Sequence, residues 1–188
     1  MRLMSKKSSL DHPTLKHIKK AFPDVPFKAS EFRGMTTLVV QGENLHDVAR
    51  FLRDAPGCDY DFLSDVLGID YLDYPVETPG RFAVVYLLSS GQHDDLFTLK
   101  TFVDPSVDTS GIDFDPTLQV DSVTDIWPGA EWREREVYDM YGIRFLNHPD
   151  LRRILMWEEF PAHPLRKDFP LRGRGERENY KTLDRESR

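Results

Sequence analysis

The chain has 188 residues, of which 39% are hydrophobic and 30% are charged, and its formal net charge is −7. This length allows one domain with a core and an extension, and the composition is not that of a disordered chain. The negative charge argues against general nucleic-acid binding. The single cysteine, Cys58, excludes an internal disulfide scaffold and cannot by itself supply the ~4 ligands of an iron–sulfur cluster. We interpret it as a structural or merely exposed thiol.

The charges are unevenly distributed along the chain. Residues 1–142 carry 14 basic and 24 acidic side chains, whereas residues 143–188 carry 11 basic and 8 acidic ones. An acidic body therefore precedes a basic, arginine-dominated C-terminal part. The longest clear apolar run, Ala83 to Leu88, has six residues, far fewer than the ~20 that span a bilayer. We expect any membrane association to occur through partner proteins.

The first third of the chain predicts two helices that flank a pair of strands. Asp11 can cap the first helix and Pro13 suits its first turn, while Asn44 can cap the second. Arg33-Gly34 indicates a hairpin turn between the strands. The predicted elements are a loose basic tail over 1–9, a helix over 11–22, strands over 27–32 and 36–41, and a helix over 44–54.

The rest of the body predicts three strands followed by helices. The later part of the ambiguous stretch 61–73 is interpreted as a strand, and Gly142 suits the left-handed position after the last helix. Beyond residue 147 the apolar periodicity is weak and prolines are frequent. The predicted elements here are strands over 81–89 and 97–103, a short helix over 121–127, a helix over 130–141 and an extended arm over 148–188.

This order predicts an α+β fold with two layers, helices on a sheet, in the approximate order α-β-β-α-β-β-β-α. We expect residues 1–147 to form the domain and residues 148–188 to form an extended C-terminal arm that binds a partner.

A search for catalytic or ligand-binding motifs finds no phosphate-binding loop, no dinucleotide fingerprint, no nucleophile elbow and no Cys/His zinc pattern. His148 and His163 are conceivable metal ligands with Asp139 or Glu158, but they lack a ligand spacing. We interpret both histidines as hydrogen-bonding or interface residues. The motifs and the histidines therefore predict no metal, cofactor or catalytic site in this chain.

Three acids on the last predicted helix, Glu134, Glu136 and Asp139, are the remaining catalytic candidates. Glu136 and Asp139 are three residues apart and share a helix face, while Glu134 points elsewhere. The alternative, which we favour, is that these charges lie on a solvated face. The same helix offers an ion pair between Glu131 and Arg135, and around this pair lie aromatic and methionine side chains that suit a partner surface or simply cover the sheet. These are Trp127, Trp132, Tyr138, Met140 and Tyr141.

The segment from Glu134 to Leu171 reads EREVYDMYGIRFLNHPDLRRILMWEEFPAHPLRKDFPL. It resembles the signature of the C subunit, or 30 kDa-type subunit, of respiratory complex I (NADH:quinone oxidoreductase). The one clear departure is Ala162, where glycine is common in the family. The residues that carry the resemblance, and that we assign to the signature and interface, are Glu134, Arg135, Glu136, Tyr138, Asp139, Gly142, His148, Pro149, Arg152, Arg153, His163, Pro164, Arg166, Lys167, Asp168 and Phe169.

The resemblance implies a cofactor-free subunit of the peripheral arm of the complex, with FMN and iron–sulfur clusters in partner subunits. It implies a position at the cytoplasmic face of the bacterial inner membrane, attached through partners. The C-terminal arm would wrap around neighbouring subunits, chiefly the hydrogenase-like D subunit of the quinone site and the subunits that bear clusters. Its prolines restrict the free chain. We expect Arg152, Arg153, Arg166 and Arg172 to pair with partner carboxylates and Leu151, Ile154, Leu155 and Phe169 to be apolar anchors.

Two alternatives stay open at this point. The chain could be the equivalent subunit of a related membrane-bound hydrogenase or of another oxidoreductase, because the shared scaffold would look the same. It could also be a stand-alone hydrolase or metalloenzyme that uses residues 134–170.

Overall fold

The structure is a computed structural model that describes residues 10–175. The predicted tail over 1–9 and the last part of the predicted arm, 176–188, lie outside the described residues. The described chain is a mixed α+β fold with a five-stranded sheet and three helices. Its elements are α1 (Pro13–Ala21), β1 (Lys28–Phe32), β2 (Met35–Val40), α2 (Leu45–Asp54), β3 (Phe62–Asp70), β4 (Phe82–Ser90), β5 (Asp95–Val103), β6 (Gln119–Asp121), α3 (Ala130–Tyr141) and β7 (Arg144–Leu146).

The strands of the large sheet follow the order β1-β2-β5-β4-β3. The predicted meander of β3, β4 and β5 is present, and β2 pairs with β5 in parallel. One row of paired residues across the sheet, Leu38, Leu99, Tyr86 and Val66, is buried throughout. These side chains belong to one core with the apolar faces of α1, α2 and α3. Burial of each large apolar side chain contributes about 1.5–3 kcal/mol to folding.

Helices α2 and α3 occupy the predicted residues, but the predicted side-chain caps do not form. Asp11 pairs with Lys16 at 2.6 Å, and His12 occupies the N-cap position of α1 without capping it. Asn44 stands at the N-cap position of α2, where its side chain makes no capping bond. A short 3₁₀ turn precedes α2 instead and leads the chain into it.

The predicted helix over 121–127 is wrong. Residues 119–121 form β6, which pairs in parallel with β7, and turns follow. The physical reason is that Glu134 of α3 accepts hydrogen bonds from Ser122 and from the backbone of Val123, so these two residues are held against α3 before the turns begin. Strand β3 also begins earlier than predicted, at Phe62, with an irregularity between Leu63 and Asp65.

Residues 148–175, hereafter the C-terminal arm, contain no helix and no strand. They nevertheless pack against the body, because the side chains of Phe160, Ala162, His163 and Arg166 are buried. The division of the chain after residue 147 stays a prediction. Among the described residues no helix is long and apolar enough to cross a bilayer.

Candidate interface on helix α3 and the C-terminal arm

The C-terminal arm closes the end of α3. The last carbonyls of a helix have no partners within the helix and must be satisfied from outside it. Gly142, with φ at 76°, supplies the left-handed turn that ends α3. The four carbonyl bonds are Gly142 N–H to Tyr138 at 2.8 Å, His163 Nδ1–H to Asp139 at 2.9 Å, Leu165 N–H to Met140 at 3.2 Å and Arg166 Nε–H to Tyr141 at 2.7 Å. Three of the four donors therefore come from the C-terminal arm.

Asp139 is the buried centre of this contact. Its carboxylate is fully buried and accepts a bond from Arg153 Nη1 at 2.7 Å. Its other oxygen accepts the backbone N–H groups of residues 154, 155 and 156 at 3.1, 2.7 and 2.8 Å. Burial acts to raise the pKa of Asp139, but the backbone donors of Met156 and Leu155 and the Arg153 guanidinium outweigh it, so the pKa is lowered. Asp139 is therefore a charged anchor for the arm.

Arg153 is committed to this chain rather than to a partner. Its side chain is 7% exposed, and Nη2 donates to the carbonyls of Phe160 and Ala162 at 2.9 and 3.1 Å. Arg166 likewise donates through Nη1 to the carbonyl of Thr109 at 2.8 Å. The predicted pairing of these two arginines with partner carboxylates is wrong, because carbonyls and Asp139 of the same chain already hold them.

Glu134 is also buried, contrary to the predicted solvated face. Its side chain is fully buried and accepts bonds from Ser122 Oγ at 2.7 Å and Val123 N–H at 2.9 Å. Burial raises the pKa of Glu134 to about 7, because these two donors compensate only part of the lost hydration. Of the three catalytic candidates on α3, only Glu136 is exposed.

The raised pKa of Glu134 predicts a dependence of stability on pH. Because the folded chain holds this proton more tightly than the unfolded chain, the contribution of Glu134 to the free energy of unfolding should fall between pH ~4.5 and ~7 and level off above. The contribution is at most about 3 kcal/mol. Glu134→Gln removes this titrating group. The unfolding free energy of the variant minus that of wild type should therefore increase as the pH rises over that interval. Denaturant unfolding at several pH values measures it.

Glu158→Gln is the control for this measurement, because Glu158 is exposed and its difference from wild type should stay level over the same pH range. A constant offset for Glu134→Gln from pH ~5 to ~8 would show that Glu134 does not titrate in this interval.

The first part of the arm is held by the N-terminal half of α3. His148 accepts the N–H of Asp150 at Nδ1, so Nε2 carries the proton and donates to the carbonyl of Glu131 at 2.9 Å. Arg135 donates to the carbonyls of Arg152 and Arg153, both at 3.1 Å. The predicted ion pair of Arg135 with Glu131 is wrong, because the arm carbonyls take the guanidinium.

The last part of the arm docks onto the ends of β3 and β4. Asp70, whose side chain is 1% exposed, accepts the N–H of Lys167 at 2.9 Å and two bonds from Arg81 at 3.0 and 3.1 Å. Arg81 also pairs with Asp168 at 2.9 Å. Burial acts to raise the pKa of Asp70, but Arg81 and the backbone donors lower it overall. Sequence reasoning missed Asp70 and Arg81, and neither stands in a recognisable motif.

The remaining signature residues are at the surface or in aromatic contacts. Phe169 packs against Phe160, with ring centroids 5.9 Å apart. Tyr138 and Pro164 are half-buried. Exposed signature residues are Glu136, Pro149, Arg152 and Lys167. The predicted anchor Leu155 is 61% exposed, whereas Phe169, Ile154 and Leu151 are half-buried.

The described residues contain no group of three or more His, Cys, Asp or Glu side chains placed to hold a metal ion. Burial lowers the pKa of His163 to about 4, and its Nδ1 is used by the helix end. Cys58 is buried, and burial raises the pKa of its thiol to about 11, so the thiolate that would act as a nucleophile is disfavoured.

Comparison with known proteins gives consistent matches. Residues 38–175 match the family described as respiratory-chain NADH dehydrogenase, 30 Kd subunit. The C subunit of NADH-quinone oxidoreductase from Roseiflexus castenholzii is 44% identical over 164 residues, covering 87% of this chain and 86% of that protein. The protein of the same name in Geobacter sulfurreducens is 42% identical over 164 residues, covering 87% of this chain and 91% of that protein.

Two solved structures share the fold. One is a trypsin-resistant fragment (1–134) of Nqo5, at 31% identity and a TM-score of 0.55, covering 73% of this chain and 99% of that one. The other is described as the membrane-bound sulfane sulfur reductase, an archaeal respiratory membrane complex. It has 24% identity and a TM-score of 0.65, and the match covers 91% of each chain. At that identity the second likeness concerns the fold alone.

Proposed function

The chain belongs to the family of the 30 kDa subunit of respiratory-chain NADH dehydrogenase, and we propose that it is a cofactor-free structural and assembly subunit of the peripheral arm of an NADH:quinone oxidoreductase. Its relatives are subunits of that oxidoreductase, so the chain is part of an enzyme complex. On this proposal none of its own residues takes part in the redox chemistry.

One observation carries the non-catalytic part of the proposal: the buried acids that a catalytic hypothesis would choose are occupied by bonds within the chain. Asp139 accepts four bonds, and Glu134 accepts two in a fully buried position. A general acid or base must come within hydrogen-bond reach of its substrate. Neither carboxylate is exposed to a substrate in this structure.

The partners are proposed from the family. The chain would pack chiefly against the D subunit, which helps to form the quinone site, and against subunits that bear iron–sulfur clusters. FMN and the clusters would lie in partner subunits, and the complex would hold this chain at the cytoplasmic face of the bacterial inner membrane. Residues 1–147 would form the domain and residues 148–188 the segment that extends towards partners.

The alternative assignments are weaker on the present observations. An equivalent subunit of a related assembly would share this fold, as the structure of the sulfane sulfur reductase does. The two curated relatives at 42% and 44% identity, however, are both named for NADH-quinone oxidoreductase. A stand-alone metalloenzyme would need a group of ligands placed to hold a metal ion, and residues 10–175 contain no such group. A stand-alone hydrolase that used Glu134 or Asp139 would need that acid to be open to a substrate, and both are buried.

The test is purification of the tagged full-length chain from its native membrane, as wild type and as Glu134→Gln. We expect the other subunits of an NADH:quinone oxidoreductase, with FMN and iron–sulfur absorbance, to co-purify with both forms. Turnover per assembled complex should agree within about twofold, because no proton transfer is lost. Loss of a general acid or base would instead cost roughly 100-fold or more.

Three outcomes would count against the proposal. A hydrogenase or another electron-input module in the purified assembly would support the related-complex alternative. Enzymatic activity or a bound metal in the isolated chain would support the stand-alone enzyme. A hundredfold loss of turnover per assembled complex in Glu134→Gln would contradict the non-catalytic role.

A further inference from the structure

An open groove of about 550 Å³ runs between the exposed side of α3 and the C-terminal arm. Trp132 and Leu155 are its large apolar side chains, 68% and 61% exposed. Exposed tryptophan beside an exposed leucine is unusual on a solvated surface, and tryptophan and arginine are common at the centres of interfaces. The groove is lined by Pro128, Gly129, Glu131, Trp132, Arg133, Glu136, Ile154 and Leu155.

The apolar side of the groove is fixed in place by the buried anchor. The N–H groups of Ile154 and Leu155 both bond to Asp139 Oδ2, at 3.1 and 2.7 Å. Asp139 in turn is held by Arg153. Since the backbone at these two residues is already ordered, a partner that binds beside Trp132 does not have to order it. A preformed surface of this kind raises affinity.

The rim of the groove has uncompensated negative charge. Arg133 is paired with Asp65 of β3, so its charge is balanced within the chain. In the part of the chain that the structure describes, the carboxylates of Glu131 and Glu136 make neither an ion pair nor a hydrogen bond. Within the described residues, the groove thus presents an apolar floor with two unpaired carboxylates. This combination suits cationic side chains next to aliphatic ones and disfavours anionic lipid or nucleic acid.

We propose that this groove binds a segment of a partner protein in which Lys or Arg side chains flank aliphatic residues, with the aliphatic part against Trp132 and Leu155 and the cations against Glu131 and Glu136. The inference rests on the proposed function, because it takes the partner to be another member of the complex. On this inference, the signature residues Asp139 and Arg153 hold the groove in position. The signature residue Glu136 contacts the partner segment directly.

The first test places a photo-crosslinking amino acid, p-benzoylphenylalanine, at Trp132 of the tagged full-length chain in its native host. After irradiation of the membranes, the complex is purified and the crosslinked peptides are identified by mass spectrometry. We expect position 132 to crosslink to one segment of another subunit, rich in Lys or Arg and aliphatic residues. Phe32, 69% exposed on β1, is the control position and should not crosslink to that segment.

The second test reverses one rim charge. Glu136→Lys should lower the yield of assembled complex about tenfold or more, because like charges placed across an interface repel strongly. An acidic substitution at the basic residue identified by the crosslink should restore the yield. Glu158→Lys, an exposed change on the C-terminal arm outside the groove, should leave the yield within about twofold of wild type.

The unfolding midpoint of the purified chain separates a fold defect from an assembly defect, and Glu136→Lys should leave it unchanged because Glu136 is exposed. An unchanged yield with Glu136→Lys, a crosslink to an acidic segment, or a crosslink to a second copy of this chain would each overturn the groove assignment. If the chain co-purifies with the redox subunits while position 132 reaches no partner, the groove assignment fails and the proposed function stands. If no redox subunit is found with the chain, the proposed function itself fails.

Discussion

Replacing Arg153 by alanine should lower the free energy of unfolding of the chain by about 3–5 kcal/mol, because it leaves the buried charge of Asp139 without its cation. The same change at the adjacent Arg152 should lower it by less than about 0.5 kcal/mol. The side chain of Arg153 is 7% exposed, whereas that of Arg152 is 65% exposed and, among residues 10–175, forms an ion pair only with Asp150, at 2.8 Å. The two variants remove the same chemical group from neighbouring positions.

The size of the Arg153 effect follows from the number of groups that it holds. Besides Asp139, the guanidinium satisfies the carbonyls of Phe160 and Ala162, both in buried positions. Loss of the guanidinium leaves these two carbonyl acceptors without a donor, and each costs about 1–3 kcal/mol if no water replaces the donor. The arm should therefore detach from α3 before the body unfolds, since the Arg153 contact joins the arm to α3 and not to the strands of the sheet.

Denaturant unfolding of the isolated chain measures the free energies, and limited proteolysis with mass mapping locates the weakened segment. We expect faster cleavage within 148–175 in Arg153→Ala than in wild type or Arg152→Ala, with strands β3, β4 and β5 intact in all three. Equal stabilities for the two variants would mean that the Asp139 anchor contributes little to the fold. First cleavage inside the sheet would mean that the arm and body unfold together.

Sequence reasoning could locate α2, α3 and β4 because each has a local pattern that is long enough to read. Helical spacing of apolar residues marks α2, Gly142 marks the end of α3, and the run from Ala83 to Leu88 marks β4. Strands β6 and β7 have three residues each, too few for any periodicity. They form by pairing with one another, although α3 separates them in the sequence. Such elements are fixed by tertiary contacts that a sequence window does not contain.

The sequence predicted which segment contains the candidate site, but not which of its side chains are buried and what they contact. Glu134 and Glu136 are the same residue type two positions apart, yet one is buried against Ser122 and the other is exposed. Trp127 and Trp132 differ in the same way: the first is 4% exposed and donates from Nε1 to a carbonyl at 3.0 Å, and the second is 68% exposed. Burial depends on what lies across from a side chain: residues 122 and 123 cover Glu134, and Tyr60 lies across from Trp127, and a local sequence pattern contains neither contact.

The arginines of the arm show the same limit. Arginine side chains pair well with carboxylates, but the sequence does not distinguish a carboxylate of this chain from one of a partner. The prediction for Arg153 and Arg166 therefore named a partner where the structure shows bonds within the chain. Only the fold shows that the end of α3 presents its carbonyls and Asp139 to the arm. The position of Gly142 after the last helix was predictable, because a left-handed residue is common there.

Gly142→Ala should lower the free energy of unfolding by roughly 2–4 kcal/mol, because backbone strain and steric overlap act together. The φ of +76° at position 142 is a left-handed conformation that strains an alanine. A Cβ there would also lie 2.3 Å from Arg166 Nη2 and 2.7 Å from the His163 ring. These are two of the arm residues that satisfy the carbonyls at the end of α3. The substitution therefore strains the turn and displaces its partners at once.

Gly129→Ala, at the other end of the same helix, is the matched control. Gly129 has a right-handed backbone with φ at −63°, and within residues 10–175 no atom other than those of its chain neighbours lies within 4 Å of a Cβ built there. Alanine at this position should change the free energy of unfolding by less than about 0.5 kcal/mol or stabilise slightly, because it restricts the unfolded chain. Chemical denaturation of both variants gives the comparison, and cleavage within 148–175 should accelerate only in Gly142→Ala. Similar stabilities for the two variants would show that Arg166 and His163 can move away from the helix end at little cost, and the C-terminal arm would then not be fixed there.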